Sequence, residues 1–239
     1  MPLTLRRVYR EGGSALQPSL AAFCSMNCNI FELNTGENTV TPLTLRSVRI
    51  FKGYFNADQQ AGLVEEIRKV ATKAPMFFPT TAAGKPMSVR MTSAGRYGWV
   101  SDRSGHRYSD THPGGQSWPD IPDTVCKTWS DITELDRTPD CCLINFYAEG
   151  ARMGLHQDRD EASFDWPVLS ISLGDEGLFR VGNTTRGGKT ESIWLQSGDV
   201  VVLGGAARLA YHGVDRIRFG SSSLLPNGGR INLTLRVVD

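Results

Sequence analysis

Between Arg230 and Arg236 polar and apolar residues alternate without exception, Arg230-Ile231-Asn232-Leu233-Thr234-Leu235-Arg236. Successive side chains of a strand point to opposite faces, so this segment predicts a strand with Ile231, Leu233 and Leu235 on one face and Arg230, Asn232, Thr234 and Arg236 on the other. Short β-rich runs recur at 141–147, 168–173, 178–181, 192–195, 199–203, 209–211 and 231–238, punctuated by Gly and Asp. Apolar residues at helical spacing occur earlier. Leu63, Val64, Ile67, Val70 and Ala71 predict a helix over 56–73, with Asn56 at its N-cap and Pro75 just past its end. Val125, Trp129 and Ile132 predict a second over 123–135, with Asp123 as its cap. Many short strands without helical crossovers argue for an antiparallel sandwich or jelly roll, an α+β protein that is mainly β, carrying two helices on its outside.

Residues 1–44 show no period and read as an N-terminal arm, poorly ordered, ahead of one domain over 45–239. The chain has 239 residues, 40% of them apolar, and its longest apolar stretches are strand-sized, which excludes a bilayer-spanning helix. With 26 Lys and Arg against 25 Asp and Glu, no global field draws it to nucleic acid or lipid, so such affinity must come from a local patch. One exists. Lys85, Arg90, Arg96, Arg103 and Arg107 stand against Asp102 alone between residues 85 and 108, interleaved with Tyr97, Trp99 and Tyr108. Five irregularly spaced cysteines fit free thiols in a reducing compartment, here the cytoplasm, and Cys24 with Cys28 lacks the second pair that a zinc site needs. No signal peptide is read at the N-terminus.

The chemistry lies in His156-Gln157-Asp158 and in His212 further on. Two imidazoles and a carboxylate can hold Fe(II) on one face and leave three positions open for an oxidisable co-substrate and dioxygen. Alone, a His-x-Asp triplet is weak evidence, and the polar face of 230–236 would ordinarily be a solvated one. Yet two Arg flanking an Asn and a Thr also suit a small dicarboxylate, because each guanidinium offers a planar fork. Triad and cradle together point to 2-oxoglutarate.

The ordered set Cys142-Leu143-Ile144-Asn145-Phe146-Tyr147, Leu155-His156-Gln157-Asp158-Arg159-Asp160-Glu161, Ser170-Ile171-Ser172-Leu173-Gly174, Gly198-Asp199-Val200-Val201-Val202, Tyr211-His212-Gly213 and the terminal Arg-x-Asn-x-Thr-x-Arg strand resembles the AlkB family of Fe(II)/2-oxoglutarate dioxygenases, in particular its bacterial DNA-repair branch. The resemblance runs from about residue 45 to 237. It implies a double-stranded β-helix core at about 139–239 and a nucleotide-recognition lid at about 76–118. The implied reaction is oxidative demethylation of 1-methyladenine and 3-methylcytosine in single- or double-stranded DNA, or in RNA, with release of succinate, carbon dioxide and formaldehyde. It makes His156, Asp158 and His212 the iron ligands and Asn145, Phe146, Tyr147, Arg230, Asn232, Thr234 and Arg236 the 2-oxoglutarate site, with Arg230 on the distal carboxylate. Trp99 would stack on the extracted base. Met87, His106, Arg107, Tyr108 and Arg186 would meet the substrate, and Asp160 would touch the lesion base in the reaction site. His106 stands where the repair branch has a Tyr, and reads as a phosphate contact. The protein is expected to act as a monomer. The alternatives are a relative acting on RNA or protein, which would share the iron and 2-oxoglutarate residues, and a catalytically silent jelly-roll binding module.

Overall fold

The computed structural model describes residues 41–239. The predicted N-terminal arm, with Cys24 and Cys28, therefore lies outside the described residues except for its last few positions. In chain order the strands are β1 (Leu43–Leu45), β2 (Val48–Phe51), β3 (Val89–Gly95), β4 (Gly98–Asp102), β5 (Gly105–Ser109), β6 (Cys141–Tyr147), β7 (Met153–His156), β8 (Val168–Gly174), β9 (Glu176–Val181), β10 (Glu191–Leu195), β11 (Val200–Leu203), β12 (His212–Arg218) and β13 (Arg230–Arg236). Helix α1 (Ala57–Lys73) follows β2, and α2 (Asp123–Thr133) precedes β6. A seven-stranded sheet runs β1-β2-β11-β8-β13-β6-β3, a four-stranded sheet runs β10-β9-β12-β7, and β4 with β5 forms a separate hairpin. All pairs are antiparallel. This is the expected jelly roll.

Helix α1 begins where the sequence said it would, and for the expected reason. The Asn56 carboxamide accepts from the Gln59 backbone and the Gln59 side chain accepts from the Asn56 backbone, each at 2.9 Å, so two of the helix's unpaired N–H groups are satisfied reciprocally. The expected cap of α2 does not form: Pro122 holds the N-cap position without a side-chain bond, and Asp123 lies in the first turn, where its charge suits the helix dipole. Leu63, Val64, Ile67 and Val70 of α1 and Val125, Trp129 and Ile132 of α2 pack with Ile231, Leu233 and Leu235 of β13 and with Ile171 and Ile144 of its neighbours. Each such side chain contributes roughly 1.5–3 kcal/mol by leaving water.

That packing fixes the orientation of everything else. The apolar face of β13 is under the helices, so its polar face must look into the space between the two sheets. All seven residues of β13 are buried. The ordinary expectation of a solvated polar face is overturned. Two apolar clusters fill the rest of the sandwich on either side, one around Val168, Phe179, Val181 and Leu203 and the other around Met91, Leu143, Tyr147 and Val214.

Two segments take a different form from the one the sequence suggests. Residues 209–211 are not a strand, and His212 opens β12 instead of closing an earlier run. Val89–Gly95, inside the expected lid, is the edge strand of the large sheet, paired along its length with β6. The Trp-bearing hairpin β4–β5 leaves from this edge. Gly98 marks its root, because a Cβ there would sit 2.2 Å from the ring of the buried Trp118. Cys126, Cys141 and Cys142 are free thiols.

Candidate active site

His156 ends β7 and His212 opens β12, and the two face each other directly across that strand pair. Each ring's Nδ1–H donates to a backbone carbonyl two residues upstream, of Gly154 at 2.9 Å and of Ala210 at 3.0 Å. Such bonds set the tautomer and leave Nε2 as the free lone pair. Both Nε2 atoms point at Asp158, at 3.7 Å from Oδ1 for His156 and 3.6 Å from Oδ2 for His212. One ligand atom from each of the three lies within 4.8 Å of the others.

The electrostatics suit a cation. Burial by itself would raise the Asp158 carboxyl, but Arg236, His212 and His156 outweigh it and hold the group well below the ordinary carboxylate range. Burial also pushes His212 down to about 4, so its imidazole is neutral at physiological pH and able to ligate. Asp158 Oδ2 is buried without a hydrogen-bond partner. A buried carboxylate that faces two imidazole lone pairs and keeps one oxygen unpartnered fits a metal ion of the kind His-Asp-His donors hold.

Asn145, Asn232 and Ser172 form one rung across β6, β13 and β8, and Arg230 sits on the next rung beside Tyr147 and Gly174. Arg230 is fully buried, with Nη2 bonded to Ser172 Oγ and Asn232 Oδ1 at 2.9 Å each. Its Nε and Nη1 have no partner, and burial lowers its pKa. Asn145 Oδ1 is likewise unpartnered. The Tyr147 phenol, pushed up to about 12 by burial, has only the weak acceptor Met153 Sδ at 3.8 Å. Among the described residues, five of the seven buried side-chain polar atoms without partners belong to Asn145, Asp158, Arg230 and Arg236, the rest being on Glu66 and Ser93. Buried polar groups are otherwise almost always paired, so this concentration marks a site built for an anionic ligand beside a cation.

The triad and, from the cradle, Asn145, Tyr147 and Asn232 line one cavity of about 590 Å³, with Met87, Trp99, His106, Asp160, Thr234 and Arg236, while Arg230 lies behind Asn232 outside its wall. Asp160 closes its rim. Its Oδ2 accepts from Trp99 Nε1 at 3.1 Å and its Oδ1 lies 3.2 Å from His106 Nε2.

Some expected site residues are elsewhere. Phe146 alternates to the helix side of β6, where Arg90 stacks on its ring at 4.6 Å, so its side chain is not part of the cradle. Arg236 spends its guanidinium on Asp158 Oδ1 at 2.7 Å and the Tyr108 hydroxyl at 2.9 Å, which makes it a support of the triad carboxylate in this structure. The hydroxyl of Tyr108, expected at the substrate, is turned inward to Arg236 and Glu161. Arg107 faces out of the hairpin and pairs with Asp102, whose pKa its hydrogen bond lowers to about 2. Arg186 is exposed in the β9–β10 loop, outside the cavity wall. His106, expected on a phosphate, lies against Trp99 and Asp160. Sequence reading gave no role to Arg208, whose Nη1 holds the Asp158 backbone carbonyl at 2.6 Å and whose Nη2 pairs with the buried Glu161 at 3.0 Å. No periodic or spacing signal sets Arg208 apart, whereas Glu161 closes the His-x-Asp-x-Asp-Glu run.

This fold and site define an iron- and 2-oxoglutarate-dependent oxygenase, and residues 47–236 match the 2OG-Fe(II) oxygenase superfamily. The chain is 54% identical to an alpha-ketoglutarate-dependent dioxygenase AlkB homolog of Caulobacter vibrioides over 78% of its own length and 86% of the relative's. It is 38% identical to the alpha-ketoglutarate-dependent dioxygenase AlkB of Escherichia coli over 82% and 91%. The solved structure of OsALKBH1 superposes with a TM-score of 0.71 at 29% identity, covering 82% of this chain and 98% of that one. The chain thus belongs to the AlkB family of alpha-ketoglutarate-dependent dioxygenases, enzymes that use Fe(II) and 2-oxoglutarate. Among the described residues no helix is long and apolar enough to cross a membrane.

Proposed function

We propose that this dioxygenase removes methyl groups from N-alkylated bases, with 1-methyladenine and 3-methylcytosine as the type substrates, in single- or double-stranded DNA and also in RNA. His156 and His212 hold Fe(II) through Nε2 and Asp158 holds it through its carboxylate. Arg230, with Asn232, Thr234, Asn145 and Tyr147, holds 2-oxoglutarate. The bound metal and co-substrate supply the oxidation of the N-methyl group by dioxygen, with release of succinate and carbon dioxide; the hydroxylated methyl then leaves as formaldehyde.

The protein's own residues bring the methyl to that point and exclude other groups. Trp99 offers a stacking face at the cavity mouth and Asp160 an acceptor for an exocyclic amine, while Met87 supplies apolar wall. A base must leave its stack to enter, at a cost of a few kcal/mol, and a methyl on the pairing edge has already removed much of that cost. Arg107 and Arg186 are exposed outside the cavity, and in this reading they meet the phosphates that flank the extracted base. The reading has the enzyme act as a monomer in the cytoplasm, and the free thiols support a reducing compartment.

The observation that carries this reading is that Trp99, His106 and Asp160 close the mouth of the cavity whose floor holds the triad. The test is formaldehyde release from matched DNA and RNA oligonucleotides carrying 1-methyladenine or 3-methylcytosine. Release above the unmethylated control, dependent on 2-oxoglutarate, is expected. Turnover of 2-oxoglutarate with a protein substrate and none with any methylated oligonucleotide would sink it.

A further inference from the structure

The two strands of the lid hairpin place Trp99 directly opposite Tyr108. Opposed residues of an antiparallel pair share a face, and His106, two residues before Tyr108, shares it too. That face meets Asp160 and Glu161, two and three residues after the Asp158 ligand. Trp99 and His106 take Asp160 at the exposed rim. Tyr108 goes deeper: its hydroxyl donates to Glu161 Oε1 at 2.5 Å and accepts from Arg236 Nη1 at 2.9 Å.

Arg236 thus stands between two carboxylates. Its Nη2 is committed to Asp158 Oδ1 at 2.7 Å, while its Nε, buried and without a hydrogen bond, lies 3.6 Å from Glu161 Oε1. The Glu161 side chain has no solvent exposure and is fixed on its other oxygen by Arg208. One cation facing two buried anions is held by the difference between their attractions, and in a weakly screened interior that difference is large. A divalent cation on Asp158 weakens the pull from one side only. The guanidinium then leans toward Glu161 and Tyr108, where the Glu161 carboxylate is already 3.6 Å from its idle Nε.

We propose that Tyr108 is a positioning residue which, through Arg236 and Glu161, couples the seating of the lid hairpin to metal occupancy at Asp158. The proposal rests on the reading of His156, Asp158 and His212 as metal ligands. A loaded metal tightens the grip on the hairpin that carries Trp99, and a seated hairpin draws Arg236 away from Asp158 and favours the metal. Linkage requires the two effects to be equal in free energy.

The experiment uses Mn(II) with 2-oxoglutarate, which fills the site without turnover. Mn(II) binding is followed by the loss of the free-ion electron paramagnetic resonance signal, and seating by hydrogen–deuterium exchange of residues 98–109. In the wild type, Mn(II) should slow exchange of these amides severalfold. Tyr108→Phe should abolish the difference between loaded and empty protein and weaken Mn(II) by roughly fivefold or more, the usual scale of such coupling. A merely structural tyrosine would speed exchange equally in both states. Glu161→Gln, which keeps the shape and removes the charge, should shrink the Mn(II) response in the same way, so the inference stands or falls even if Tyr108→Phe does not fold. If Mn(II) binds and the wild-type hairpin exchanges at one rate with and without it, the coupling is absent. If Mn(II) does not bind, the metal reading of the triad falls and the coupling with it.

Discussion

His106 stacks on Trp99, their ring centroids 6.0 Å apart and their planes 22° from parallel. An imidazole so placed faces the cavity and not the outer surface of the hairpin, where Arg107 stands. Trp99→Ala should weaken binding of methylated single-stranded DNA by about 1–3 kcal/mol through lost stacking. His106→Ala should weaken it less and leave the salt dependence unchanged, since no phosphate contact is lost. A log-log salt slope shallower by about 0.7 in His106→Ala would put the ring on a phosphate after all.

Arg230 carries a buried charge with two idle donors, a costly arrangement without an anion. The wild type should therefore be stabilised by 2-oxoglutarate in the presence of Mn(II), by about 2.7 kcal/mol at a hundred times its Kd. Arg230→Met should melt no lower than wild type when both are ligand-free, and 2-oxoglutarate should leave its melting temperature unmoved. An equal ligand-induced rise in the variant would mean that the dicarboxylate binds elsewhere.

Gly177 pairs across from β10 and β12, and a Cβ on it would meet Arg230 Nε at 2.8 Å and Cδ at 3.0 Å. Gly177→Ala should push the guanidinium aside and raise the KM for 2-oxoglutarate severalfold. Mn(II) affinity measured without co-substrate should stay put. Unchanged KM with normal folding would show that Arg230 has room to spare.

His212 is buried neutral, its pKa depressed to about 4 from an ordinary 6.5. Between those values the unfolded chain binds a proton that the folded one refuses, so stability of the metal-free protein should fall as pH drops from about 6.5 to 4, by about 3 kcal/mol at most. Asp158 adds a further loss at lower pH, because its depressed carboxylate contributes stability that disappears only as pH falls through the folded value. Urea midpoints across this range test the point. His212→Gln should flatten the curve above pH 4, and parallel curves would refute the assignment of the titration to this ring.

The sequence alone determined the periodicities and the identities of the reacting groups. Alternation over 230–236 dictated two chemically distinct faces, Asn56 dictated where α1 begins, and the residue types at 156, 158 and 212, taken together with that strand, pointed to the metal chemistry. Alternation cannot say which face meets water, however, because that depends on what distant segments cover. The tertiary structure decided it: α1 and α2 claimed the apolar face of β13, which forced Arg230 and Arg236 inward toward Asn145 and Asp158. The same holds for the lid. Charge counting marked residues 85–108 as a binding segment, but only the hairpin register put Tyr108 and His106 on the face toward the core and Arg107 away from it. Long-range pairing fixed which side chains share a cavity, and it is the packing of separately encoded faces that turns a set of suitable residues into a site.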